Sequence, residues 1–170
     1  MGGKDIMLKD KIRNLYCELL GLNIKKRLID NNICQNEISH YFYDEVKLIS
    51  APTISQILKG KRNITNDSVV ALQDTLNLSN VKSIFFPDLI FCNLLLKKLI
   101  HFILTDDHFI GSTTRDLFKE KENVIQENIS LLANELYSFF PDFPEEETSY
   151  QISDSLTDWL IEFVALVAQL

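Results

Sequence analysis

At 170 residues, 46% of them hydrophobic and with a mean hydropathy of +0.01, the chain has enough apolar material for one domain with a substantial core or for two small ones. Its formal net charge of −7 is unevenly placed: residues 1–80 carry +2 and residues 81–170 carry −9, so the halves have different electrostatic roles. This composition excludes a disordered chain and a membrane-embedded one, and five glycines, four prolines and no low-complexity tract point to an all-α protein.

The first predicted element runs from Ile6 to Leu20, where Ile12, Leu15, Tyr16, Leu19 and Leu20 recur at helical spacing and Lys9, Lys11, Arg13 and Glu18 take the other side. Gly21 is expected to break or bend it. A second segment then turns Ile24, Leu28 and Ile29 inward and leaves Lys25, Lys26 and Arg27 as a solvated face, until Asn31 and Asn32 punctuate the chain. Gln35 to Lys47 predicts a further helix with Ile38, Tyr41 or Phe42, and Val46 on its inner face.

Ser50 is placed to cap the next helix, because its hydroxyl can accept an unpaired backbone N–H. Pro52 is tolerated in the first turn and Gly60 ends it. Thr65 or Asn66 caps the following segment, whose Val69, Leu72, Leu76 and Leu78 form an apolar face. Ser79 or Asn80 starts a last short element through Ile84, Phe85 and Phe86, closed by Pro87. Residues 1–86 are thus expected to form one compact helical domain with an extra amino-terminal helix.

Residues 88–170 predict a second, acidic helical domain of three segments, at roughly 88–105, 114–140 and 153–170, with a loop from Pro141 to Gln151. The most apolar run, Leu89 to Leu104, is too short to span a bilayer and is interrupted by Asn93, Lys97, Lys98 and His101. In the last segment Leu156, Trp159, Leu160, Phe163, Val164, Val167 and Leu170 make one continuous stripe, with Asp154, Asp158 and Glu162 opposite. Three stripes of this size exceed what a small three-helix unit buries, so Leu156, Trp159, Leu160, Phe163 and Val167 are expected to pair two copies of the chain.

The stretch from Ala51 to Arg62 carries the functional signal. At about 100° per residue, Ile54, Ile57 and Leu58 converge on one side, while Pro52, Ser55, Gln56 and Lys59 fall opposite and Thr53 lies on the flank. A helix with small and amide-bearing residues outward can approach another surface closely. Gln presents a donor and an acceptor to an adenine edge, Ser reads either kind of group, and Pro52 or Ala51 can touch a thymine methyl. Lys59, Lys61 and Arg62 would meet the flanking phosphates.

With Gln35, the Ile54–Ser55 pair, Gly60 and the Leu76-Asn77-Leu78-Ser79 corner in that order, residues 22–86 resemble the helix-turn-helix domain of the lambda-repressor-like regulators, the XRE family. The resemblance implies binding of double-stranded DNA at a palindromic operator by a homodimer, with Gln35, Asn36, Ala51, Pro52, Thr53, Ser55, Gln56, Lys59, Lys61 and Arg62 at the interface. It implies a transcriptional regulator, a repressor of phage or mobile-element type. Two features depart from the family: Gln35 to Gly60 spans 25 positions, so the second helix or its turn is lengthened, and the domain is only mildly basic.

Two other functions fit the same sequence. An acidic second domain can bind a protein partner, as an inhibitor of a host protein or an antitoxin does, with the first domain kept for autoregulation. Alternatively, a peptide or small ligand enters between the carboxy-terminal helices. No enzyme is expected: His40, His101 and His108 are scattered, the Thr105–His108 stretch reads as turn chemistry rather than a metal pair, and no phosphate-binding, dinucleotide, nucleophile-elbow or zincin motif is present. Neither cofactor nor metal is expected. Cys17, Cys34 and Cys92 lack ligand spacing and read as buried reduced thiols, and the amino terminus shows no secretory or lipidation signal, so the chain is expected in the cytoplasm.

Overall fold

The computed structural model describes residues 2–39, 49–64, 66–140 and 149–170, and every regular element among them is helical. The chain divides into two compact units. Tyr16–Pro87 with Asp142–Ser155 forms one, called here the amino-terminal unit; Met1–Leu15, Asp88–Pro141 and Leu156–Leu170 form the other, the carboxy-terminal unit. One division falls at Pro87, next to the expected domain boundary, whereas the first fifteen residues group with the carboxy-terminal helices.

The amino-terminal unit begins inside α1 (Gly2–Asp30), a single 29-residue helix that runs through Gly21. The expected break is therefore absent, and packing explains why glycine stands there. A Cβ on Gly21 would sit 2.5 Å from the Ile57 carbonyl oxygen and 2.9 Å from that of Leu58, at the end of α2 (Ala51–Leu58). Gly60 closes the same contact from the other side: its φ of 71° is left-handed, and a Cβ there would strike the backbone of Glu18. The helix accepts a glycine that costs about 1 kcal/mol relative to alanine because it lets two backbones meet.

Three helix ends in this unit are built alike. Asn32, Gly60 and Asn77 take left-handed φ values of 55°, 71° and 51° after α1, α2 and α3 (Asn66–Thr75). At each, the next residue reaches back five positions: Ile33 N donates to Leu28 O, Lys61 N to Gln56 O and Leu78 N to Gln73 O, all at 2.9 Å. This satisfies carbonyls that helix termini otherwise leave unpaired. Ile24, Leu28, Ile38, Ile54, Ile57, Val69, Leu72, Ile84, Phe85 and Phe86 are buried.

Asn80 starts α4 (Lys82–Phe85) by accepting from Ser83 N. The fully buried Tyr16 donates from its hydroxyl to Phe85 O at 2.8 Å, with its ring 5.8 Å from that of Phe86. Arg27 is not part of the solvated face assigned to it with Lys25 and Lys26. Its guanidinium donates to Ser83 O at 2.9 Å and Ile84 O at 3.3 Å, tying α1 to a helix too short to satisfy its own carbonyls. Cys34 corrects the cysteine reading, since it is exposed while Cys17 and Cys92 are buried.

In the carboxy-terminal unit, Asp88 caps α5 (Leu89–Thr105) by accepting from Phe91 N at 2.8 Å. Its buried Phe91, Leu95, Leu99 and Ile103 face a core to which α8 (Ile129–Phe139) supplies Leu132, Ala133 and Leu136, and α5 packs on α8. The helix expected over 114–140 is three: α6 (Thr113–Glu120), α7 (Glu122–Glu127) and α8. Lys121 and Asn128 take ψ values of 9° and 13°, opening the helix at each, yet i→i−4 bonds such as Leu132 N to Asn128 O continue across. A hydrophobic period carries no mark of such bends.

The last helix, α9 (Ser149–Gln169), begins earlier than expected, inside what read as a loop; residues 141–148 lie outside the described ones. Its apolar stripe is not a free face. Leu156, Leu160, Phe163 and Val167 are 1–4% exposed, and half-buried Trp159 meets Phe140 edge-on at 5.7 Å while Phe163 meets Phe139 at 5.6 Å. Leu156, Leu160, Phe163 and Val167, four of the residues expected to pair two chains, are thus core of their own unit, and Phe139 of α8 lies against Phe163. Among the described residues, no helix is long and apolar enough to cross a membrane.

Asp106 and His108, in the turn after α5, are held by α1. Lys11 Nζ lies 2.8 and 3.1 Å from the two Asp106 carboxylate oxygens and 3.1 Å from His108 Nδ1. The Lys11 hydrogen bond, with help from the His108 backbone N–H, lowers the Asp106 pKa to about 2. Among the described residues no cluster of three His, Cys, Asp or Glu is arranged to hold a metal ion.

Candidate nucleic-acid interface

The candidate surface is the outer side of α2. Ser50 is in extended conformation and its Oγ accepts from Thr53 N at 3.3 Å, fixing where the helix starts. Pro52 sits in the first turn, where no N–H is required. Ile54, Ile57 and Leu58 are the buried anchors, and the Gly21–Gly60 contact fixes the other end. Eight residues held at both ends and along one side have little freedom to rotate.

What remains outward is Ala51, Pro52, Gln56 and Lys59, all exposed, with Thr53 and Ser55 half-buried on the flanks. Lys61 and Arg62 follow, both exposed. No acidic residue occurs between Ser50 and Asn66, and among the described residues none pairs with Lys59, Lys61 or Arg62. The side chain of Gln56 makes no hydrogen bond among them either. Thr53 is different: its hydroxyl lies 2.9 Å from Ser50 Oγ, so it serves the cap before it can serve a ligand.

Gln35 and Asn36 are exposed on a 3-10 turn, Gln35–Ser39, which packs against α2 and α3 through the fully buried Ile38. Cys34 and Glu37 close that turn reciprocally, Cys34 N donating to Glu37 Oε1 and Glu37 N to Cys34 O, both at 3.0 Å. The two predicted sets therefore lie on neighbouring elements. The rest of the helix expected to reach Lys47 lies outside the described residues.

Chemically, the face offers one free amide, one hydroxyl, two small apolar surfaces and a cluster of three cations at a single helix end. Cations at a helix carboxy terminus also complement the helix dipole, which accounts for some of that clustering. It does not account for the amide or for the missing acids. Sequence reasoning overlooked Gly21 as a determinant of how α2 is presented; its only signal was a glycine in the middle of an otherwise unbroken helical pattern. No protein-family model matches the chain, and neither a curated protein nor a solved structure matches it.

Proposed function

We propose that the chain is a sequence-specific DNA-binding regulator, a repressor of the lambda-repressor-like kind, that reads a base sequence with the outer face of α2. The observation that carries this reading is the composition of that face: exposed Gln56 beside Ser55, no acid, and Lys59, Lys61 and Arg62 at one end without an ion-pair partner among the described residues, on a helix anchored along its other side. In the major groove Gln56 would span N6 and N7 of an adenine, Ser55 would take a neighbouring polar edge, and Ala51 or Pro52 would contact a thymine methyl. The three cations would neutralise phosphates on the groove wall, and Gln35 and Asn36 would approach the backbone from the adjoining turn.

A single eight-residue helix spans only a few base pairs, so useful selectivity calls for two copies on a palindromic site. The experiment is selection of bound fragments from the source genome by the full chain, followed by anisotropy titration of the recovered sequence against a scrambled one. A two-fold motif bound at least 1,000-fold more tightly than the scramble, on the order typical of specific regulators, supports the reading. Equal affinity for both, or no binding, removes it.

A further inference from the structure

With Leu156, Leu160 and Phe163 of α9 buried, the surface left for pairing lies at the end of the same stripe, where Leu170 is exposed beside α8. Two open cavities, of about 530 and 380 Å3, adjoin along α8 and the end of α9 and share Leu131, Leu132, Val167 and Leu170 as lining. One ridge beside them is α8, with Leu131, Glu135 and Ser138 at i, i+4 and i+7; the other is α9, with Leu166 and Leu170 at i and i+4. Leu131, Leu166 and Leu170 protrude at 61%, 47% and 79% exposure, and Val124 adds 61%.

From this geometry we infer that the α8–α9 groove is where a second copy of this chain docks. The surface is ridge and groove at once, which is what a two-fold interface requires, since the same patch must act as both knob and hole. Seating the Leu166–Leu170 ridge of one copy in the groove of the other turns two packed helix pairs into a four-helix arrangement. Leu131, Leu166, Leu170 and Val124, 47–79% exposed, are the apolar side chains this seating would cover, in an interface whose standard stable size is roughly 800 Å2 per partner.

A small ligand fits less well. The larger cavity offers Glu135 and Ser138 as its polar side chains, both at the rim, so nothing converges to orient a bound molecule, and the leucine ridge would stay in water. Lys121, at the edge of the smaller cavity, is occupied with Ala168 O at 3.2 Å. With so few charges at the rim, the net negative charge of this half of the chain opposes close approach only weakly.

The inference deepens the DNA-binding reading by naming the surface that would make the reader two-fold, but its test needs no DNA. Sedimentation velocity on the full chain over a concentration series should show a dimer. Leu131→Glu and Leu170→Glu should each weaken it at least about tenfold with unchanged helical circular dichroism, while Ile29→Glu, on the exposed side of α1, should not. Leu170 is 79% exposed, so its replacement leaves folding intact even if Leu131→Glu does not. A wild-type chain that stays monomeric, or a dimer indifferent to Leu170→Glu, overturns the assignment. A monomer that takes up an apolar fluorescent dye, and loses it in Leu131→Glu, gives the groove to a ligand instead. Loss of DNA binding with an intact dimer would count against α2 alone.

Discussion

Replacing Gly21 by alanine sets two well-characterised effects against each other. In a helix interior alanine is favoured over glycine by about 1 kcal/mol, so without tertiary contact the substitution stabilises. Here the new Cβ would lie 2.5, 2.9 and 3.0 Å from Ile57 O, Leu58 O and Gly60 N, where ordinary contact begins at 3.4 Å. All three are backbone atoms, so no rotamer change relieves the overlap and α1 must retreat from α2 by most of an ångström. A gap of 0.5–1 Å forfeits about a quarter to a half of each contact across it, and overpacking of this kind costs about 1–3 kcal/mol. The upper part of that range applies, because Ile57 O also accepts from Gly60 N at 3.0 Å and that cap is disturbed with it. The net expectation is destabilisation by about 2 kcal/mol, read as a lower urea midpoint at unchanged slope with helical circular dichroism as the probe. Gly111→Ala is the comparison, since its φ of 73° is strained but nothing lies within 4 Å; it should cost about 1–2 kcal/mol for conformation alone. A Gly21→Ala variant as stable as the wild type, or more so, would refute the α1–α2 contact and with it the anchoring of α2.

Arg27→Ala should destabilise by about 1.5–3 kcal/mol through two charge-assisted bonds lost at α4, whereas Lys26→Ala should stay within about 0.5 kcal/mol; equal effects in urea titration would return Arg27 to the solvated face. Asp106 has a lowered folded-state pKa, so its carboxylate contributes stability that is present above the ordinary value of 3.8 and lost as pH falls toward 2. The stability gap between wild type and Asp106→Asn should therefore shrink across that window, and a gap that stays constant would detach Lys11 from Asp106.

Much of the fold was legible because helix signals are local. Ser50 and Asp88 act as caps, Asn80 accepts from Ser83 N in the turn into α4, and Gly60, Asn32 and Asn77 end helices, each through a side chain or a φ preference acting within a few residues. Three of the errors share one cause. Gly21 reads as a breaker, Arg27 as solvated and the α9 stripe as an interface until the partner surfaces are known, and those partners are Ile57, Ser83 and Phe139, all distant in sequence. For the candidate interface, periodicity placed Gln56 and Lys59 outward and Ile54 inward, since one face of an eight-residue helix is set by its anchors. That Thr53 is committed to the cap depends on a hydroxyl rotamer, which no spacing rule contains.

The account's central claim is that α2 reads bases while its basic end holds phosphates, and one paired measurement tests it most directly. Using the sequence recovered from genomic selection and a scrambled control, affinities of wild type, Gln56→Ala and Lys61→Ala are measured across a range of salt concentrations. Gln56→Ala should lose about 1–3 kcal/mol on the specific site and almost nothing on the scramble, because an amide on a base edge contributes only where that base is present. Lys61→Ala should weaken both and make the salt slope shallower by about one unit, the signature of one phosphate contact removed. A Gln56→Ala variant that loses equally on both sequences, or on neither, together with an unchanged slope for Lys61→Ala, would contradict the claim and leave the face of α2 as ordinary solvated helix.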